Sequence, residues 1–144
     1  MRRDELRFLE WKDIDFKRSK IKIRAKEGFQ PKTTEREIPI SKKLYAVLGR
    51  LAHNGSYIIS NSDGQPWHRN KFRNEFMRIA KGAGLQGVTK LHSLRHTFAS
   101  HLVMAGVDLA SVQKLMGHRN IQTTMIYAHL SPGHLAQAVD KLNY

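Results

Sequence analysis

The chain has no cysteine among its 144 residues. That absence excludes a disulfide framework, a thiolate zinc site and a cysteine nucleophile, and it fits a protein of the cytoplasm. No apolar run approaches the roughly 20 residues of a membrane span, and the charged segment Met1–Glu5 is not followed by the apolar stretch of a secretion signal. We therefore expect a cytoplasmic protein and, at this length, a single domain over residues 1–144 with one hydrophobic core.

Acidic residues are also scarce, with 12 Asp and Glu against 25 Lys and Arg, which gives a net charge of +13. The acids that follow residue 37 are far apart in the sequence: Asp63, Glu75, Asp108 and Asp140. Two-metal nuclease chemistry needs clustered carboxylates. Because these acids are scattered, negative charge that develops in a reaction at phosphate must be stabilised by cationic side chains. A chain this basic attracts polyanions, and nucleic acid is the favoured partner. An acidic membrane surface is the alternative, but the sequence has no strongly basic amphipathic anchor. It also lacks the Gly-x-x-x-x-Gly-Lys-Ser/Thr phosphate loop of nucleotide hydrolases.

Local patterns predict a mixed, mainly α-helical fold with a small three-stranded antiparallel sheet near the N-terminus. Asp4–Leu9 is typical of the end of a helix. Short strands are predicted at Ile14–Phe16, Ile21–Arg24 and Glu37–Ile40. Pro39 suits an edge or a strand end, because it has no N–H to donate to a neighbouring strand.

Apolar residues at helical spacing predict six further helices, with Ser41, Asp108 and Asn120 as the N-caps of three of them. Ser131 and Pro132 suit the cap and the first position of the last helix. The predicted apolar faces, in chain order, are Leu44, Val47, Leu48 and Leu51; Phe72, Phe76, Ile79 and Ala80; Leu91, Leu94, Phe98, Leu102 and Ala105; Leu109, Val112 and Met116; Ile121, Met125 and Ala128; and Leu135, Ala138, Val139 and Leu142.

The most informative stretch is His-Ser-Leu-Arg-His-Thr-Phe at residues 92–98. His92 and Arg95 are three residues apart and therefore neighbours on a helix surface, at the edge of the predicted apolar face. A planar, always charged guanidinium suits the negative charge that spreads over the oxygens of a phosphoryl transition state. The alternative is a surface arginine beside a histidine that only caps or packs.

A second stretch, Leu-Met-Gly-His at residues 115–118, is followed nine residues later by Tyr127. A free phenol has a pKa near ~10, so a tyrosine nucleophile needs neighbouring cations or a base. His118 is placed to help, or to bind a phosphate oxygen. The alternative for Tyr127 alone is a packed aromatic.

Three weaker candidates complete the set. Lys32, in a polar loop of the sheet, is a possible general acid for a departing 5′ oxygen, with Lys26 as its nearby competitor. Arg2 is a candidate phosphate clamp. His92 and His96 have the i, i+4 spacing of a zinc pair, but without the intervening glutamate or any cysteine we expect no metal site.

In this order the pieces resemble the catalytic domain of the tyrosine recombinases, also called the phage integrase family. Arg2-Arg3-Asp4-Glu5-Leu6 is similar to the family's Arg-x-x-Glu-Leu, and Lys32 matches its hairpin lysine. The stretches at 92–98 and 115–118 match the His-x-x-Arg box and the Leu-Gly-His element, with a methionine replacing part of the latter. Thr124-x-x-Tyr127-x-His129 matches the nucleophile segment.

The resemblance implies a site-specific recombinase or integrase that cuts and rejoins DNA without metal, ATP or any other cofactor. Tyr127 would form a 3′-phosphotyrosine link and free a 5′ hydroxyl. Arg2, Arg95 and His118 would stabilise the transition state, His92 would accept or donate a proton, and Lys32 would act as general acid. A type IB topoisomerase-like enzyme and a non-catalytic DNA-binding module are the alternatives.

The resemblance also implies assembly on double-stranded DNA as a homotetramer, in which helix 132–142 either exchanges between protomers or closes its own core. Lys90 and Arg119 flank the two boxes and are candidate phosphate contacts. Since members of the family carry a further helix and a DNA-clamping domain before the first arginine, we expect this chain to be a C-terminal fragment. Such a fragment would keep the active-site residues but recombine poorly.

Overall fold

The structure, a computed structural model, describes residues 1–53, 55–85 and 90–132. Backbone contacts divide the chain into two compact units, Met1–Arg95 and His96–Tyr144. The fold class is the predicted one, mainly α-helical with a three-stranded antiparallel sheet. None of the helices in the described ranges combines the length and hydropathy that a bilayer span requires.

The sheet belongs to the first unit and has the order β1-β2-β3, with β1 at Ile14–Asp15, β2 at Lys20–Ile23 and β3 at Arg36–Pro39. Both pairings are antiparallel. Along β2, isoleucines are buried and lysines are only partly buried, the alternation of a sheet with one face on the core. Pro39 is the last residue of an edge strand, where the missing N–H breaks no ladder hydrogen bond, so the sequence prediction is confirmed.

The helices of the first unit are α1 (Arg3–Arg7), a 3-10 helix (Trp11–Asp13), α2 (Lys42–Leu48), α3 (Arg69–Gly82) and the start of α4 (His92–Met104). Its core consists of buried apolar side chains from the N-terminal segment, the sheet and α2: Leu9, Ile14, Ile21, Ile23, Ile40 and Leu48. One face of the sheet therefore packs against the N-terminal segment and α2.

The second unit contains the rest of α4, α5 (Leu109–Met116), α6 (Gln122–Met125) and a 3-10 helix (Ala128–Leu130). Its core is Ala99, Val103, Val112, Met116 and Tyr127. The predicted last helix, with Leu135, Ala138, Val139 and Leu142, lies outside the described residues.

Predicted helix caps are largely confirmed. The hydroxyl of Ser41 accepts from the backbone N–H of Leu44 at 3.2 Å, and the carboxylate of Asp108 accepts from that of Ser111 at 2.8 Å. Asn120 accepts from the backbone N–H of Gln122 at 2.9 Å, but the cap position of α6 is one residue later than predicted.

The predicted buried face of α4 is correct only in part, since Leu102 packs against the core but other predicted positions do not. Leu94 and Phe98 are 49% and 45% exposed, whereas Ala99 and Val103 are buried. The helix has apolar residues on more than one side, so its periodicity indicates a helix without indicating which column of residues faces the core.

For the same reason, some positions that the sequence predicts as buried on other helices are exposed. On α2 the core receives Leu48, while Leu44 and Val47 are exposed, as is Leu51 shortly after the helix. Exposed positions also include Ile79 of α3, whose Phe72 and Ala80 are buried as predicted, and Met125 of α6. In the segment of α6 the buried residues are instead Thr124 and Tyr127.

A buried carboxylate joins α1 to the sheet. Glu5 is 3% exposed and receives two hydrogen bonds from the guanidinium of Arg36 on β3, at 3.0 and 2.8 Å. The backbone N–H and the guanidinium of Arg2 also donate to it, at 2.7 and 3.1 Å. Burial alone would raise the pKa of Glu5, but these donors outweigh it and hold the pKa at about 2.

The first prediction concerns the pH dependence of stability. A carboxylate whose pKa falls from 4.5 to about 2 on folding contributes about 3 kcal/mol at neutral pH. We expect Glu5→Gln to lower the free energy of unfolding by about that amount at pH 7. The difference should narrow as the pH falls from 4.5 towards 2, because the wild-type carboxylate then loses the same charge. Urea denaturation at several pH values measures it.

Glu37→Gln is the matched control. Glu37 lies on the same strand as Arg36 but pairs with Lys20 at the surface, where ion pairs contribute little. A Glu5→Gln variant no less stable than this control would contradict the prediction.

The second prediction compares two methionines of the second unit. Met116 is 1% exposed and Met104 is 58% exposed. We expect Met116→Ala to cost about 2–5 kcal/mol of unfolding free energy, because it leaves a cavity, and Met104→Ala to cost less than about 0.5 kcal/mol. Equal losses in urea denaturation would contradict the burial seen here.

Candidate active site

A basic cavity of about 630 Å³ lies in the first unit. Its walls come from α1, the loop between β2 and β3, α3 and the start of α4. The charged and titratable residues among those that line it are Arg2, Arg3, Lys32, Arg69, Arg73, Lys90 and His92, against Asp4 and Glu5. This excess of cations, above a wall that includes four phenylalanines, favours a phosphate-bearing ligand.

Arg2 is fixed at the edge of this cavity by two partners. Its guanidinium donates to the Glu5 carboxylate at 3.1 Å and to the hydroxyl of Thr33 at 3.0 Å. Thr33 follows Lys32 directly, so this second bond ties the lysine loop to the start of α1. The side chain of Arg2 keeps 21% of its surface exposed.

The structure separates the two lysines that the sequence left as competitors. Lys26 is nearly buried, and its ammonium contacts the carboxylates of Asp13 and Glu10 and donates to the backbone carbonyl of Phe8 at 2.9 Å. Lys32 is exposed and lines the cavity. An ammonium held by two buried carboxylates is a structural cation, so Lys32 is the better candidate for proton transfer.

The Lys32 loop is itself anchored to α1. Lys26 and Phe29 exchange backbone hydrogen bonds of 2.9 and 3.0 Å, around a tight turn in which Gly28 has φ +70°. The ring of Phe29 stacks on Phe8 with centroids 5.3 Å apart. These contacts give the loop a defined path past the cavity.

The first turn of α4 carries His92 and Arg95. His92 is exposed and lines the basic cavity, as does Lys90 just before the helix. Arg95 is 6% exposed; it belongs to the first unit but is not among the residues that line the cavity. The sequence placed both residues at the edge of an apolar face; the structure exposes His92 and buries Arg95.

In the second unit Tyr127 is a core residue whose hydroxyl is hydrogen-bonded. The side chain is 5% exposed and packs with Ala99, Val103, Val112 and Met116. Its hydroxyl lies 2.6 Å from Nδ1 of His96. Tyr127 is therefore both a packed aromatic and the candidate nucleophile. Its ring is buried in the core, and its hydroxyl is hydrogen-bonded.

His118 is held by its backbone and by its ring. Gly117 ends α5 in the left-handed conformation, φ +64°, and the His118 N–H then donates to the Gln113 carbonyl at 3.1 Å. Nδ1 of His118 lies 2.9 Å from the hydroxyl of Thr124, which is fully buried. A ring held through Nδ1 presents Nε2 as its second polar atom. Arg119, the next residue, is exposed.

Sequence reasoning missed the roles of Glu5, His96 and Thr124. In the sequence, Glu5, Thr124 and His96 lie within motifs but have no assigned function, apart from the i, i+4 spacing of His96 with His92. Each is a polar residue among mostly apolar or cationic neighbours in the sequence, which is a signal of a specific partner. The spacing of residues in the sequence does not show which residue that partner is. Within the described ranges, no three His, Cys, Asp or Glu side chains are grouped closely enough to hold a metal ion.

The chain is similar to several known proteins. The tyrosine recombinase XerC of Thermodesulfovibrio yellowstonii is 32% identical, over 98% of this chain and 50% of that protein. The solved catalytic domain of bacteriophage HP1 integrase is 28% identical with a TM-score of 0.66, over 98% of this chain and 74% of that one. The Tn1549 transposon integrase in complex with transposon right end DNA is 25% identical with a TM-score of 0.78, over 98% of this chain and 54% of that one.

The chain thus spans about half the length of the curated relatives it matches. The model of the phage integrase family matches residues 1–134, which include every candidate residue named above. The chain therefore belongs to the phage integrase family.

Proposed function

We propose that this chain is the catalytic part of a site-specific DNA recombinase that acts through a covalent 3′-phosphotyrosine intermediate. The observation that carries the proposal is the hydroxyl of Tyr127 in contact with an imidazole nitrogen at 2.6 Å, in a chain whose first unit has a cavity rich in cations. Membership of the family and the DNA complex of the Tn1549 integrase support DNA as the substrate.

In this mechanism the oxygen of Tyr127 attacks a DNA phosphorus, and the bond from phosphorus to the 5′ oxygen breaks. Arg2 and Arg95 stabilise the negative charge on the non-bridging oxygens. His118 acts with them: a ring that accepts the Thr124 hydroxyl at Nδ1 carries its proton on Nε2 and donates there. His92 accepts or donates a proton from its place in the cavity, and Lys32 protonates the departing oxygen.

The bond energy is kept in the phosphotyrosine, so a 5′ hydroxyl from another strand reverses the reaction and seals a new junction. Exchange between two duplexes requires four cleavages, and each chain has one Tyr127. We infer a homotetramer on DNA for the full reaction, with Lys90 and Arg119 as phosphate contacts. All charge stabilisation comes from side chains, so neither ATP nor a metal ion is needed.

The third prediction tests the nucleophile. With a nicked suicide substrate, from which the cleaved end diffuses away, we expect wild-type protein to become covalently attached to DNA in the presence of EDTA. Tyr127→Phe should leave no adduct although its ring still packs. A gel shift under denaturing conditions and mass spectrometry of the linked peptide measure the result. Absence of a wild-type adduct, or an adduct that depends on magnesium, would refute the proposal; a DNA-binding module gives no adduct with either protein.

The fourth prediction assigns the general acid. We expect Lys32→Ala to slow adduct formation by about 10²–10⁴-fold on ordinary DNA. A substrate with sulfur in place of the bridging 5′ oxygen should restore most of the rate, because a thiolate leaves without a proton. Lys17→Ala, which removes an exposed lysine that does not line the cavity, should behave as wild type. If sulfur does not rescue Lys32→Ala, the lysine binds phosphate instead of transferring a proton.

A further inference from the structure

The mechanism above assigns no step to His96, although His96 contacts the oxygen that attacks. Its Nδ1 lies 2.6 Å from the hydroxyl of Tyr127, and the two rings are 5.9 Å apart between centroids with 52° between their planes. Both residues belong to the second unit. The contact is thus a hydrogen bond between the phenol hydroxyl and a ring nitrogen, with the two rings tilted and not stacked.

The two residues of this pair have different surroundings. Tyr127 is 5% exposed, and its ring packs among the apolar side chains of Ala99, Val103, Val112 and Met116. Low polarity around a phenol disfavours its charged form, so the phenol proton needs an acceptor in direct contact. His96 is an exposed residue, and a proton taken up by its ring can exchange with water.

Imidazole is suited to this transfer. A neutral imidazole has one ring nitrogen that accepts a hydrogen bond and can take up a proton. The pair can be written with either partner as donor, depending on the tautomer. Attack by the phenol oxygen requires the form in which Tyr127 O–H donates to Nδ1.

We propose that His96 is a further catalytic residue, the group that accepts the phenolic proton of Tyr127 during DNA cleavage. This inference rests on the proposed function. The Tyr127 O–H bond breaks and its proton moves to Nδ1, giving an imidazolium. The phenolate oxygen forms a bond to phosphorus as the bond to the 5′ oxygen breaks, and that oxygen takes a proton from Lys32. In rejoining, each proton returns by the same path. In this scheme His92 accepts or donates its proton at the phosphate and not at the phenol.

Substitutions of His96 have different effects if the residue only orients Tyr127 than if it accepts the phenolic proton. Asn has a polar atom near the position of Nδ1 and can keep a hydrogen bond to the phenol, but an amide does not take up a proton at neutral pH. His96→Asn therefore separates orientation from proton transfer, and it carries the test even if His96→Ala fails to fold. His101→Ala is the matched control, because His101 is an exposed histidine of the same helix.

The experiment is single-turnover adduct formation on the nicked suicide substrate, with unfolding curves and DNA affinity measured for each variant. We expect His96→Ala and His96→Asn each to be slower than wild type by about 10²-fold or more, and His101→Ala to be unchanged. Replacing Tyr127 by a fluorinated tyrosine, a more acidic phenol, should shrink the defect of His96→Asn, since a stronger acid needs its acceptor less.

Three results would overturn the inference while leaving the proposed function intact: a His96→Asn rate within tenfold of wild type, a His96→Asn defect that fluorination does not reduce, or a histidine-to-alanine defect equal at positions 96 and 101. In each case wild-type protein still forms the adduct. Failure of the wild type itself to form an adduct refutes the proposed function, and this inference falls with it.

Discussion

The geometry of the first unit depends on one buried carboxylate. Glu5 accepts two hydrogen bonds from the guanidinium of Arg36 on the edge strand and two more from Arg2 at the start of α1. Arg2 in turn bonds Thr33, beside Lys32. One anion thus fixes helix, sheet and loop around a cavity whose other charges are mostly positive. A buried carboxylate is stable there only because guanidinium donors surround it, and those donors hold their positions because the carboxylate is there.

The second unit uses a different device, in which a histidine nitrogen is paired with a hydroxyl. His96 contacts Tyr127 at 2.6 Å and His118 contacts Thr124 at 2.9 Å, in both cases through Nδ1. Tyr127 and Thr124 are buried, whereas His96 is exposed and His118 partly so. A hydrogen bond at Nδ1 fixes the orientation of each imidazole ring. Burial of the hydroxyls removes competing water from both contacts.

Prediction from the sequence succeeded where one local pattern sufficed. Alternating isoleucines and lysines indicated β2, Pro39 indicated an edge, and Ser41 and Asp108 indicated helix starts, because each signal depends on residues within a few positions. It failed on α4 and α6, where apolar residues occupy several columns. Leu94 and Phe98 fit a helical stripe as well as Ala99 and Val103 do, and only the neighbouring elements decide which column is covered.

The residue types and their order indicated the family: two imidazole-bearing boxes followed by a tyrosine, in a basic chain, resemble the phage integrase family, and the family model matches residues 1–134. The family follows from the same order of residues. Tertiary structure alone decided that Lys26 is a structural cation and Lys32 an exposed one, that Tyr127 is a core residue, and that His96 is its partner. These facts depend on contacts between segments distant in sequence, such as residues 96 and 127. The free energy of burial and hydrogen bonding that selects those contacts is a property of the packed chain and not of any local spacing.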